Sequence, residues 1–118
     1  MPSFANPFSG NIDRKISKAE LIQALRIDVA GELEAIYLYD AHVHATDDPV
    51  AKKVLADIRD EEVEHCGELL ALLRYLDPNI ANLMMNGEGE VKEMMEGLGI
   101  SAASIKDIDA SVGSLLDT

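Results

Sequence analysis

Arg59-Asp60-Glu61-Glu62-Val63-Glu64-His65 places a Glu-x-x-His pair in the middle of a helical pattern. It lies inside the series Leu55, Ile58, Glu62, His65, Leu69, Leu72 and Leu76, whose steps alternate between three and four residues. That alternation marks the inward stripe of a packed helix. Glu62 and His65 therefore stand where apolar side chains are expected. Burying a carboxylate is costly unless a charge or a metal compensates it. No basic residue lies on this stripe beside Glu62, and a metal ion is the natural partner.

The preceding segment supplies a third group. Residues Ser17 to Ala45 read as one helix, with Ser17 as N-cap and Glu20 completing a capping box. Its inward stripe takes in Leu25, Val29, Glu32, Ile36, Tyr39 and Val43. Glu32 is thus a second carboxylate among apolar neighbours. Tyr39 lies seven residues on, on the same face, where its hydroxyl can donate to a ligand.

Thr46-Asp47-Asp48-Pro49 breaks this helix, with Asp48 as cap and Pro49 opening the next helix. The second helix runs to about Leu76 and stops at Asp77-Pro78. So short a connection predicts an antiparallel hairpin, with helices of ~40 Å each. Beyond Pro78, Ile80 to Asn86 reads as a short helix or turn that Gly87 and Gly89 interrupt. Glu90 to Leu98 reads as a short third helix ending at Gly99. The expected organisation is a helical hairpin domain over 1–98, including an irregular N-terminal arm, and a flexible tail over 99–118.

Composition narrows the function. The net charge of −12 speaks against nucleic acid, which needs basic patches. No run of about 18 apolar residues predicts a membrane span, and no secretory signal is visible. The single cysteine, Cys66, fits a reducing cytoplasm and reads as a small buried hydrophobe. His42 and His44 suit the negative end of the first helix. Asp57, Asp60, Glu61, Glu64 and Glu68 read as a solvated acidic face, and Met84, Met85, Met94 and Met95 as packing residues.

A two-helix hairpin cannot bury a sizeable core alone, whereas two hairpins face to face make a four-helix bundle. Ferritin-like di-iron bundles take one Glu from each of two helices and a Glu-x-x-His from each of the other two. Glu32, Glu62 and His65 are half of that set, so a two-fold dimer would complete it. Such a carboxylate-rich site suits iron or manganese better than a closed zinc site. Fe(II) held there can pass electrons to O2 or peroxide, which is ferroxidase chemistry.

Gly31-Glu32-Leu33-Glu34-Ala35-Ile36-Tyr37-Leu38-Tyr39-Asp40, together with Arg59 to His65, resembles the encapsulated ferritins over roughly Leu21 to Pro78. The resemblance implies a ferroxidase site shared by two protomers, with Glu32, Glu62 and His65 as iron ligands and Tyr39 beside them. It implies dimers that close into a ring, usually a decamer, held as cargo inside an encapsulin nanocompartment in the cytoplasm. Many members carry an acidic residue at the position of Gly31 and a tryptophan at that of Leu38; with the residue matching Glu34 these form an outer metal-uptake site. Here Glu34 alone is kept. It lies about 200° around the helix from Glu32, so it cannot share that centre, and its place in the outer site is what the resemblance implies.

Ser111-Val112-Gly113-Ser114-Leu115-Leu116 resembles the short peptides that dock cargo to an encapsulin shell. Residues Gly99 to Ala110 would serve as its tether. Two other functions compete. A rubrerythrin-like di-iron peroxidase normally carries both ligand sets in one chain and often a Cys-rich domain, and neither is present. A non-catalytic helical adaptor would leave Glu32, Glu62 and His65 replaceable.

Overall fold

The computed structural model describes residues 12–100. These form three helices: α1 (Lys18–Ala45), α2 (Pro49–Leu76) and α3 (Pro78–Gly97). The first N-terminal residues and the tail with Val112, Gly113, Ser114, Leu115 and Leu116 lie outside the described residues. No helix among the described residues is long and apolar enough to cross a membrane.

The expected capping box starts α1. The Glu20 amide donates to Ser17 Oγ at 3.1 Å, and the Ser17 amide donates to Glu20 Oε1 at 3.0 Å. Arg14 adds a bidentate guanidinium–carboxylate pair to Glu20. That hydrogen bond, helped by the Ser17 amide, lowers the Glu20 carboxyl to about 2. At the hairpin turn the Ala51 amide donates to Asp48 Oδ1 at 2.8 Å, so Asp48 caps α2 as expected. Lys52 Nζ donates to the Val43 carbonyl at 3.0 Å, satisfying one of the last carbonyls of α1.

Contacts across the hairpin set its direction and register. Lys52 meets Val43, Arg59 meets Asp40, and His65 meets Glu32. The α1 partner moves back along the chain as α2 advances, which is an antiparallel pair. Leu25 of α1 and Cys66 and Leu73 of α2 are the buried residues of this interface. Cys66 is thus the small buried hydrophobe expected of it.

The stripe expected on α2 needs a small rotation. Cys66 and Leu73 are the best-buried α2 residues, whereas His65 and Leu72 one residue earlier are exposed. The 3–4 spacing carries the right period, but an α2 that packs on a single helix buries a narrower strip than a bundle helix does. His65 and Leu72 are left on its flank.

The chain divides into two compact units at Leu76/Asp77. In the second unit α3 corrects the expected break: it is one continuous helix of 20 residues. Asp77 caps it, its carboxylate accepting from the Asn79 amide at 2.9 Å, and Pro78 opens it. Gly87 and Gly89 lie inside the helix, where each costs propensity but removes no hydrogen bond. The helix ends as expected at Gly99, whose φ of 76° is left-handed. The Gly99 amide donates to the Glu96 carbonyl and the Ile100 amide to the Met95 carbonyl, which is a Schellman closure.

Candidate metal centre

Antiparallel packing brings the Glu-x-x-His of α2 opposite Glu32 of α1. His65 Nδ1 lies 3.5 Å from Glu62 Oε2 and 3.6 Å from Glu32 Oε2. One donor atom from each of the three falls within 4.8 Å of the others, and no other such trio of His, Cys or acidic side chains occurs among the described residues. The sequence-predicted set is therefore brought together by the hairpin alone.

Its donor chemistry fits a hard or borderline divalent cation. Metal–donor bonds to carboxylate and imidazole are ~2.1 Å, so donors on one ion stand roughly 3–4 Å apart. The two His65 distances fall in that range. The side chains of Glu62, Glu32 and His65 are 18 %, 26 % and 46 % exposed. The carboxylates are thus largely covered by their own hairpin, while the imidazole sits on the open side of α2. Two carboxylates gathered next to one imidazole carry excess negative charge, which a cation relieves.

Tyr39 is half-buried on α1, and no hydrogen bond joins it to the trio within one protomer. Glu34 is likewise half-buried on α1 but stands outside the trio. Gly31 is half-buried and Leu38 is exposed. His44 Nε2 lies 3.6 Å from Asp40 Oδ1 near the end of α1, well away in sequence from the centre. Neither His42 nor His44 joins a donor cluster.

Sequence reading overlooked Arg59 and Asp40. Arg59 Nη1 donates to Asp40 Oδ1 across the hairpin at 2.7 Å, and Arg59 Nε donates to Asp60 Oδ1 at 3.2 Å. The hydrogen bond to Asp40, then that to Asp60, raises the guanidinium's already high pKa. Arg59 stands one turn before Glu62, beside the apolar stripe and not on it, and its tie to Asp40 comes only from the register of the hairpin.

Comparison with known proteins gives a consistent result. The family model described as EncFtn-like matches residues 11–87. The chain is 33 % identical over 124 residues to the encapsulin nanocompartment cargo protein EncC of Myxococcus xanthus, covering 93 % of this chain and 95 % of that protein. It is 39 % identical over 89 residues to a ferritin-like–encapsulin shell fusion protein of Pyrococcus furiosus, covering 75 % of this chain but only 26 % of the fusion. The crystal structure of the encapsulated ferritin domain from Pyrococcus furiosus superposes with a TM-score of 0.70 at 37 % identity, covering 80 % of this chain and 97 % of that one.

Proposed function

The chain belongs to the EncFtn-like family, and from that premise we propose that it is a ferroxidase, oxidising Fe(II) to Fe(III) at a centre completed by two chains. The observation that carries this reading is the convergence of Glu32, Glu62 and His65 within 4.8 Å on one side of the hairpin. Fe(II) is the substrate, and dioxygen or peroxide takes its electrons. Glu32 and Glu62 would hold the iron through carboxylate oxygens and His65 through its imidazole, with Tyr39 as a supporting group once the second chain is in place.

The half-site argument requires assembly. One chain supplies two carboxylates and one imidazole, and a second copy brings the same set to make a ferritin-like four-helix bundle. Metal binding and association are then thermodynamically linked, since the ion binds the dimer and not the separated chains. Dimers close into a ring, with a decamer as the expected size. Glu34 belongs to an outer metal-uptake site, weakened by Gly31 and Leu38.

The relatives' names connect them to encapsulin shells. We infer the same setting for this chain: cargo of an encapsulin nanocompartment in the cytoplasm, docked through Val112, Gly113, Ser114, Leu115 and Leu116, with the ferric product stored inside. Removing residues 112–118 should then leave iron oxidation intact and abolish co-purification with a co-expressed shell protein.

Anaerobic Fe(II) titration followed by admission of air tests the central claim, with ferric absorbance and oligomer mass recorded together. Saturation near one iron per chain, with oxidation in the assembled form, is expected. Glu32→Ala should abolish oxidation and weaken metal-dependent assembly. Wild-type turnover in that variant would overturn the ligand assignment.

A further inference from the structure

A metal centre built from carboxylates has a competitor that needs no diffusion: a guanidinium on the same helix face. Arg59 lies three residues before Glu62, the spacing at which side chains of opposite charge meet on a helix surface. Its side chain is largely covered by the hairpin, as is that of Glu62. In the absence of a cation, pairing with Arg59 would relieve Glu62. The structure shows another arrangement. Arg59 reaches across to Asp40 on α1 at 2.7 Å and along its own helix to Asp60 at 3.2 Å. Glu62 keeps His65 at 3.5 Å as its neighbour.

We propose that Asp40 is a positioning residue that holds the Arg59 guanidinium away from Glu62 and so keeps the carboxylate available to a divalent cation. The inference rests on the proposed metal-binding role of Glu62. It assigns to Asp40 and Arg59 a part that neither has as a ligand. Helix side chains lean toward their N-terminus, so Arg59 leans toward the turn end of α2, where Asp40 stands. Glu62 leans the same way, toward the Arg59 turn. Without Asp40, Asp60 alone holds the guanidinium. Asp60 is the more solvent-exposed of the two acids, and an exposed pair is a weak restraint. Arg59 then swings one turn along the face to Glu62, whose negative charge is less hydrated and attracts it more strongly.

Co(II) is the probe of choice, because its visible absorbance reports ligation without oxidation. The full-length wild type, Asp40→Asn, Arg59→Gln and the double variant are each titrated with Co(II), with oligomer mass and thermal midpoint measured for all four. The expected result is a Kd about tenfold weaker for Asp40→Asn, the equivalent of about 1.4 kcal/mol. Arg59→Gln should bind as tightly as the wild type or more tightly, and the double variant should return to the wild-type Kd. The double variant separates removal of a competitor from loss of a cross-hairpin tie, because it lacks the tie as well. Equal Kd for wild type and Asp40→Asn, or an unrescued loss in the double variant, would overturn the proposal. A weakened Kd in Arg59→Gln alone would overturn it too, whatever the folding of Asp40→Asn. Failure of the wild type to bind Co(II) would instead overturn the underlying metal-site reading.

Discussion

Glu62 is held where an apolar side chain would be more stable. Its side chain is 18 % exposed, lies near a second carboxylate, and among the described residues has an imidazole at 3.5 Å as its relief. Such positions trade stability for function. Glu62→Gln keeps the shape and removes the charge, so the metal-free protein should gain about 1 kcal/mol, read as a higher thermal midpoint. The same variant should lose its iron uptake. A metal-free midpoint below that of the wild type would mean that Glu62 is compensated within the chain and that no cation is needed there. The ligand set was legible in the sequence because Glu32, Glu62 and His65 each interrupt an apolar stripe. Arg59 and Asp40 were not, since each looks like an ordinary surface charge until the hairpin's register sets them 2.7 Å apart.

At the scale of the elements, the ends of the helices carry clear physical signatures. Ser17 and Glu20, Asp48 with Pro49, and Asp77 with Pro78 each cap or open a helix where the sequence marks it. Folding depresses the Glu20 carboxyl from its ordinary 4.5 to about 2. A depressed acid stabilises the fold fully above its unfolded value, and that contribution is lost as pH falls through the folded one. The first turn of α1 should therefore stay protected at pH 5 and fray between about 4.5 and 2. Amide exchange of that turn and carboxyl titration by NMR would read both. In Arg14→Ala the Glu20 titration should move up toward 4.5; an unmoved titration would remove Arg14 as the main cause. Glycine was the misread signal. Gly87 and Gly89 look like breaks, yet a Cβ at either meets nothing within 4 Å and the helix runs through both. Replacing either with Ala should stabilise α3 by about 1 kcal/mol. Gly99→Ala should destabilise by about as much, because its φ of 76° is strained for a residue with a Cβ. Thermal unfolding of the three variants should thus split in sign, and a common sign would discredit this account of the α3 terminus.

The described hairpin exposes more apolar surface than it hides. Among the described residues only Leu25, Cys66 and Leu73 form the buried apolar core, while Leu33, Tyr37, Leu38, Val50, Val54, Val63, Leu72 and Tyr75 of the hairpin unit remain exposed. Apolar side chains left exposed along both helices of a hairpin are what a second hairpin would cover in a four-helix bundle. A sequence shows that two amphipathic helices want a partner, but the rotation that decides which residues face it comes from packing. Leu72 shows the consequence: it shares the α2 stripe with His65, seven residues on, and the hairpin leaves it 39 % exposed. If the metal centre is completed by a second chain, an apolar contact in line with His65 must be part of the seam. Leu72→Asp should place an unpaired charge in that seam, at a cost of several kcal/mol. The expected outcome is a fall in mass to the single chain, with helicity largely kept. Iron uptake should vanish at the same time, although Glu32, Glu62 and His65 are all intact. Mass photometry and Fe(II) titration on one sample would decide the matter. A single-chain species that still saturates with iron would show that the three donors suffice alone, and the shared centre would have to be abandoned.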